Sequence, residues 1–153
     1  MDIQYSSIDK LSGIDFMDFK IQYLKLLSYL SISPNISESL FFRNLSRILS
    51  KGIIIIAFVK DKENKIKIIG TGTIFLEPKI SHGGKNVGHI EDIIVDKEYR
   101  GKGIAKNIIK LLIEYAKNNN CYKTVLTAKE SLKDFYKKLG FNESNFNLKM
   151  SFN

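Results

Sequence analysis

A mixed α/β domain is the fold class this sequence predicts, and three observations carry it. Apolar residues recur at helical spacing early in the chain, and short β-branched runs separated by polar turns fill the middle. Helix and strand signals then alternate to the end, the order expected where helices pack on a sheet. The 153 residues suit one ordinary domain, residues 1–153, and an apolar content of 44% is enough to build its core.

The elements follow in order. Between 14 and 30 the apolar residues Phe16, Phe19, Ile21, Leu24, Leu27 and Leu30 mark an amphipathic helix. Pro34 breaks that pattern, and Ser37 or Ser39 caps a second helix to about 49, with Leu40, Phe41, Leu45, Ile48 and Leu49 as its stripe. After Gly52 the character changes. Residues 53–59 are short, apolar and β-branched, as in a buried strand. The polar tetrad Asp61-Lys62-Glu63-Asn64 turns the chain into a second strand over 66–75. A connection at 81–86 leads to a third strand over 87–95. The clearest helix spans 103–117, with Ile104, Ile108, Leu111, Leu112 and Tyr115 on one face, and Asn118-Asn119-Asn120 ends it. A strand at 122–126, a short helix at 131–139 and a last strand at 146–152 complete the chain.

Composition narrows the function classes. The longest purely apolar run, 53–59, is too short to span a bilayer, and no basic segment leads into an apolar stretch at the amino end. Neither a membrane anchor nor a secretory signal is expected. A single cysteine, Cys121, forms no internal disulfide and suits a reducing compartment, so the expected location is cytoplasmic. Lysine and arginine number 24 against 16 acids, for a net charge of +8. That balance attracts anionic ligands; the Lys-, Asn- and Ile-rich composition of an AT-rich coding sequence explains it equally well. Charge alone decides nothing.

The chemistry concentrates where a strand, Ile93-Ile94-Val95, runs through a turn into Arg100-Gly101-Lys102-Gly103-Ile104-Ala105-Lys106 and a long helix. A helix N-terminus presents unpaired N–H groups and the positive end of the dipole, which suits phosphate. Glycines at 101 and 103 let the backbone approach a pyrophosphate, and Arg100, Lys102 and Lys106 add positive charge. The loop lacks the Gly-Lys-Ser/Thr ending of nucleotide hydrolases and the third glycine of the dinucleotide fingerprint.

Arg100-Gly101-Lys102-Gly103-Ile104-Ala105 instead matches the Arg/Gln-x-x-Gly-x-Gly/Ala signature of the GNAT acyltransferase superfamily, and the order of elements resembles that fold. The resemblance implies a central mixed, mostly antiparallel sheet flanked by helices, with acetyl-CoA as co-substrate bound at 100–106 and along Ile93, Ile94 and Val95. Gly88-His89-Ile90-Glu91-Asp92-Ile93-Ile94-Val95, Asn120-Cys121-Tyr122-Lys123 and Phe135-Tyr136-Lys137-Lys138 further resemble the glucosamine-6-phosphate N-acetyltransferases. Glu77-Pro78-Lys79-Ile80-Ser81-His82 resembles that family's Glu-x-Lys-x-x-His stretch.

This narrower resemblance implies acetylation of an amino sugar phosphate on the route to UDP-N-acetylglucosamine. It assigns a backbone N–H at Ile94 or a neighbour to the thioester carbonyl. Glu91 and Asp92 become the acidic pair near the amine, and alternation along the strand predicts that only one of them faces a given side. Tyr136 becomes the general acid for the departing sulfur and a coenzyme contact. Lys79, His82, Tyr122 and Lys123 become ligands of the sugar phosphate. The family's homodimers, often with an exchanged carboxy-terminal strand, imply a dimer here. The chain departs from the family at Thr127, where an acid is usual, and at Leu132, where an asparagine is usual. No metal-ligand spacing is present. The competing readings are a GNAT enzyme acting on a protein or another small amine, and a non-catalytic acyl-CoA-binding domain. A nucleic-acid partner is not expected, because the basic residues are spread along the chain and most aromatics occupy core-facing positions.

Overall fold

The computed structural model describes residues 2–31 and 35–152, so the helix break expected at Pro34 lies outside the described residues. A short strand β1 (Gln4–Ser7) precedes helices α1 (Phe16–Leu27) and α2 (Glu38–Leu49). Strands β2 (Gly52–Lys60), β3 (Ile66–Pro78) and β4 (Asn86–Val95) follow, then α3 (Ile104–Asn118), β5 (Cys121–Val125) and α4 (Lys133–Lys138). The five strands form one sheet in sequence order, antiparallel throughout except for the parallel pair β4 and β5. The expected mixed α/β class and mostly antiparallel sheet are what the chain adopts.

Two layers of side chains hold the sheet. Alternation along β2 sends Ile55, Ala57 and Val59 toward α3, where Ile104, Ile108 and Leu112 wait. The intervening Ile54, Ile56 and Phe58 meet Phe19, Tyr23 and Leu26 of α1 and Phe41 of α2. Because β2 is covered on both faces, its run is apolar without a break. Of the two serines expected to cap the second helix it is Ser37 that accepts from the Leu40 N–H, at 3.2 Å, while α1 is capped by Asp15, not singled out in the sequence, which accepts from the Asp18 N–H at 2.9 Å. Gln22 ties α1 to β3 by donating to the Ile66 carbonyl at 3.1 Å and accepting from the Ile68 N–H at 2.8 Å. Those groups belong to the part of β3 that outruns β4, whose last partner is Gly70.

Two expectations change. Strand β1 is additional; it is polar and short, and only its pairing with Ile55–Phe58 of β2 makes it a strand. The strand expected at 146–152 is not formed. Phe146, Leu148, Met150 and Phe152 do alternate with polar residues, yet they are 97%, 91%, 79% and 86% exposed. An isolated strand satisfies neither its backbone groups nor its apolar face, and the pattern finds no partner strand among the described residues. No helix among the described residues is long and apolar enough to cross a membrane.

Candidate active site

The site begins where β4 loses a neighbour. Strand β5 pairs with β4 only from Asn86 to His89, and from Ile90 onward that edge of β4 is free. On its other edge β4 stays paired with β3, and the register there slips. Thr73 faces Glu91 and Thr71 faces Ile94, so Asp92 and Ile93 together stand opposite Gly72. This is a β-bulge, and Asp92 takes its left-handed position with φ +53°. The bulge inverts the alternation: Ile90 packs on the α3 side, whereas Ile94 packs on the α1 side. The expectation that only one of the two acids would face a given side fails for this reason. Glu91 and Asp92 both line one cleft of about 860 Å³.

The cleft lies between the free half of β4, the loop after it, the segment after β5, and α4. At one end Gly101 and Gly103 sit at φ +77° and +76°, torsions that residues with a Cβ adopt at a cost. A Cβ at either position would meet nothing within 4 Å, so torsion rather than crowding calls for glycine. Gly103 offers no side-chain cap to α3, which leaves first-turn N–H groups facing the cleft beside Ile104, Ala105 and Lys106. The Arg100 side chain is anchored by donating from Nε to the Val95 carbonyl at 3.2 Å. Lys102 points elsewhere, with its ammonium 5.4 Å above the Tyr99 ring. Such an arrangement suits a pyrophosphate, and Ile93, Ile94 and Val95 line the path leading away from it.

At the other end Tyr136 projects from α4 between Phe135 and Phe141, whose rings stand edge-on to it at 5.1 and 5.8 Å. Burial pushes its phenol above the ordinary value, so it holds its proton through neutral pH. Burial likewise raises the Asp92 carboxyl, which makes it a better proton acceptor than a solvated aspartate. Thr127 and Leu132 both line the cleft, and Thr127 Oγ1 accepts from Asn147 Nδ2 at 3.3 Å. Burial also raises the Cys121 thiol, which argues against a thiolate nucleophile there.

Not every residue singled out from the sequence enters this cleft. Lys79, His82, Tyr122 and Lys123 gather instead at the doubly paired end of β4. There the His82 and Tyr122 rings stack at 4.1 Å, and the Lys123 ammonium lies 5.5 Å above Tyr122. Lys79 pairs with Glu77, whose other carboxylate oxygen meets His89 Nε2 at 2.5 Å. Lys79, with His89 second, holds the Glu77 carboxyl below its usual range. Conversely, Tyr29 and Leu30 beyond α1, Tyr99, and Leu126, Ala128, Lys129 and Ser131 after β5 line the cleft without having been singled out. No local pattern marks them, because only the divergence of β4 and β5 brings them together.

A splayed strand pair, a bulged acidic strand and a glycine loop opening a helix define an enzyme that binds an acyl-coenzyme A and presents its acyl group to an amine. The chain belongs to the acetyltransferase (GNAT) family, whose model matches residues 26–141. Among its relatives, glucosamine 6-phosphate N-acetyltransferase of Arabidopsis thaliana is 31% identical over 93% of this chain and 94% of its own. The enzyme of that name from Trypanosoma brucei brucei is 36% identical over 78% of this chain and 80% of its own. In fold, the crystal structure of the Arabidopsis thaliana enzyme superposes with a TM-score of 0.84 at 24% identity, covering all of both chains.

Proposed function

We propose that the protein transfers the acetyl group of acetyl-CoA to the amine of D-glucosamine 6-phosphate, giving N-acetylglucosamine 6-phosphate for UDP-N-acetylglucosamine synthesis in the cytoplasm. The observation that carries this reading is the free half of β4, which brings Glu91, Asp92 and Tyr136 into one cleft ending at the Gly101–Gly103 loop. The names of the relatives supply the acceptor.

The chemistry is direct attack. First-turn N–H groups of α3, with Arg100 and Lys106, hold the pyrophosphate, and the pantetheine arm runs along Ile93–Val95. A backbone N–H at Ile94 or a neighbour polarises the thioester carbonyl. The neutral amine nitrogen bonds to the carbonyl carbon, and as it does so Asp92, assisted by Glu91 through the sugar or a water, accepts the proton it sheds. As the C–S bond breaks, the electron pair leaves on sulfur and the Tyr136 O–H protonates it. The products are the amide and the free thiol.

We further infer a homodimer. Lys79, His82, Tyr122 and Lys123 are the residues suited to the sugar phosphate, yet they lie outside the cleft of their own chain, where a second copy would make use of them. The alternating apolar segment at 146–152 supports the same reading, since β5 is an outermost strand with an edge to offer.

Thiol release from acetyl-CoA tests the acceptor, comparing glucosamine 6-phosphate, glucosamine and an amino-terminal peptide. Release with the phosphorylated sugar, reduced about 10²-fold or more by Tyr136→Phe, is expected. Release with the peptide alone would overturn the sugar assignment and leave the family standing. Coenzyme binding without turnover on any amine would identify a binding domain. Light scattering tests the dimer: removing residues 143–153 is expected to leave a monomer with weakened sugar binding.

A further inference from the structure

Helix α4, which carries Tyr136 into the cleft, has only six residues. A helix that short does not hold itself in water, and Leu132 supplies no side-chain cap at its start. What holds it comes from the chain that follows. The Gly140 and Phe141 N–H groups donate back to the Lys137 and Tyr136 carbonyls, at 3.0 and 3.1 Å. Gly140 takes the left-handed torsion that such an ending requires, with φ +98°. Phe141 is thereby returned onto Tyr136, its ring edge-on at 5.8 Å. Two residues later Glu143 reaches back along the helix. One of its carboxylate oxygens lies 2.5 Å from Lys133 Nζ, and the other lies 3.1 Å from Lys137 Nζ.

Those two lysines stand four residues apart on α4, a spacing at which like charges repel across one turn. Glu130 approaches Lys133 alone, at 3.9 Å. Glu143 is the carboxylate that meets both, one oxygen to each, and it turns the repulsion into a clamp. Four residues further on, Asn147 donates to Thr127 Oγ1 in the cleft wall, so the returning chain follows the cleft. Exposed ion pairs contribute little to global stability, and the Glu143 side chain is 62% exposed. The effect of this clamp therefore falls on the local opening of a six-residue helix.

We propose that Glu143 is a positioning residue for acyl transfer: by clamping Lys133 and Lys137 it holds α4 closed, and with it the Tyr136 hydroxyl at the cleft. Glu143 does not line the cleft and acts through the helix. It precedes the alternating segment at 146–152, so the clamp does not depend on where that segment pairs. The consequence for turnover rests on the acetyl-transfer reading above, whereas the ordering of α4 does not.

Two readouts in Glu143→Gln test the clamp. The first is native-state hydrogen exchange at the Leu139 and Phe141 N–H groups, both bonded to the Tyr136 carbonyl. Their exchange is expected to quicken about 3- to 10-fold, as for two lost surface ion pairs, while amides of β2 and β3 keep their rates. The second is thiol release with saturating glucosamine 6-phosphate. There kcat should fall by a similar factor, while KM for acetyl-CoA, set at the Gly101–Gly103 loop, stays. Glu143→Lys alone should show both effects more strongly. Adding Lys133→Glu and Lys137→Glu to it reverses the whole clamp and should restore both readouts. Unmoved exchange at Leu139 and Phe141, faster exchange with unchanged kcat, or losses that the full reversal does not recover would overturn the proposal. Lack of turnover in the parent would instead defeat the functional reading, and the exchange rates would still decide whether Glu143 holds α4.

Discussion

The two halves of β4 share one strand and behave as different materials. From Asn86 to His89 the strand is hydrogen-bonded on both edges, and its polar side chains are paired: Asn86 Nδ2 donates to the Asn119 carbonyl at 2.9 Å, and His89 meets Glu77. From Ile90 to Val95 one edge is open, a bulge interrupts the other, and neither the Glu91 nor the Asp92 carboxyl has a hydrogen-bond partner among the described residues. Saturated pairing makes the first half a scaffold. Where pairing stops, backbone and carboxyl groups are left without strand partners, so the end of the β5 ladder sets where the cleft opens.

Removing the Asp92 charge should break that contrast most. Asp92→Asn is expected to lower kcat/KM by about 10²–10³-fold in the thiol-release assay, as for a lost general base. Its stability should move the other way. Burial raises the Asp92 pKa in the folded state, so between the ordinary carboxyl pKa and that raised value the folded protein binds the proton more tightly than the unfolded one. Stability is therefore lost as pH rises through this window, and asparagine, which never ionises, escapes the loss. The variant should melt higher than the parent at pH 7, with the gain vanishing at about pH 3, below the unperturbed aspartate range. A parent that melts higher at pH 7 would make Asp92 a structural charge and erase the difference between the halves.

The same contrast separates what was legible in the sequence from what was not. The helices were legible because their information is local: Phe16, Phe19 and Leu27 recur at helical spacing, and Ser37 caps α2 within three residues. The loop at Gly101 and Gly103 is equally local, its torsions being written in the glycines themselves. What escaped depends on pairing at a distance. The polar β1 exists only because β2 offers an edge, and the bulge at Asp92 exists only in register with β3. Tyr29 and Lys129 come from opposite ends of the chain and share a wall only once β5 stops pairing. The alternation at 146–152 is real, but a pattern names a face and not the partner that covers it. The likeness that marked Lys79 and His82 carried no information about where the sheet would place them, and they lie outside the cleft.

Two glycines sharpen the comparison at smaller cost. A Cβ on Gly72, opposite the bulge, would come within 2.5 Å of Ile108 Cγ2 and 2.6 Å of Ile93 Cδ1. A Cβ on Gly88, in the doubly paired half, would come within 2.8 Å of Ile74 Cδ1, the far end of a side chain that can turn aside. Each alanine variant should cost about 1–3 kcal/mol as overpacking, with Gly72→Ala the greater. The difference lies in function. Gly72→Ala pushes Ile93 and with it the bulge, so kcat should fall beyond the change in stability. Gly88→Ala should lower the melting temperature by about 2–4 °C per kcal/mol and leave kcat alone. Equal kcat losses in both would show that the whole of β4 is tuned for catalysis.

The smallest effect should come from Glu77, and its sign is the useful part. This carboxylate is half-buried and held below its usual range first by Lys79 and then by His89. A lowered pKa stabilises the fold above the unfolded value, and that contribution is lost as pH falls through the folded one. Glu77→Gln should therefore melt slightly below the parent at pH 7, with the gap closing in acid. Asp92→Asn runs the opposite way over a window on the other side of the ordinary carboxyl range. Thermal melts of the two variants across pH 3–7 would trace curves of opposite slope from one sheet, at nearly unchanged kcat for Glu77→Gln. Parallel slopes would mean that Glu77, too, is a carboxyl strained by its surroundings, and that the doubly paired half of β4 is prepared for a ligand of its own.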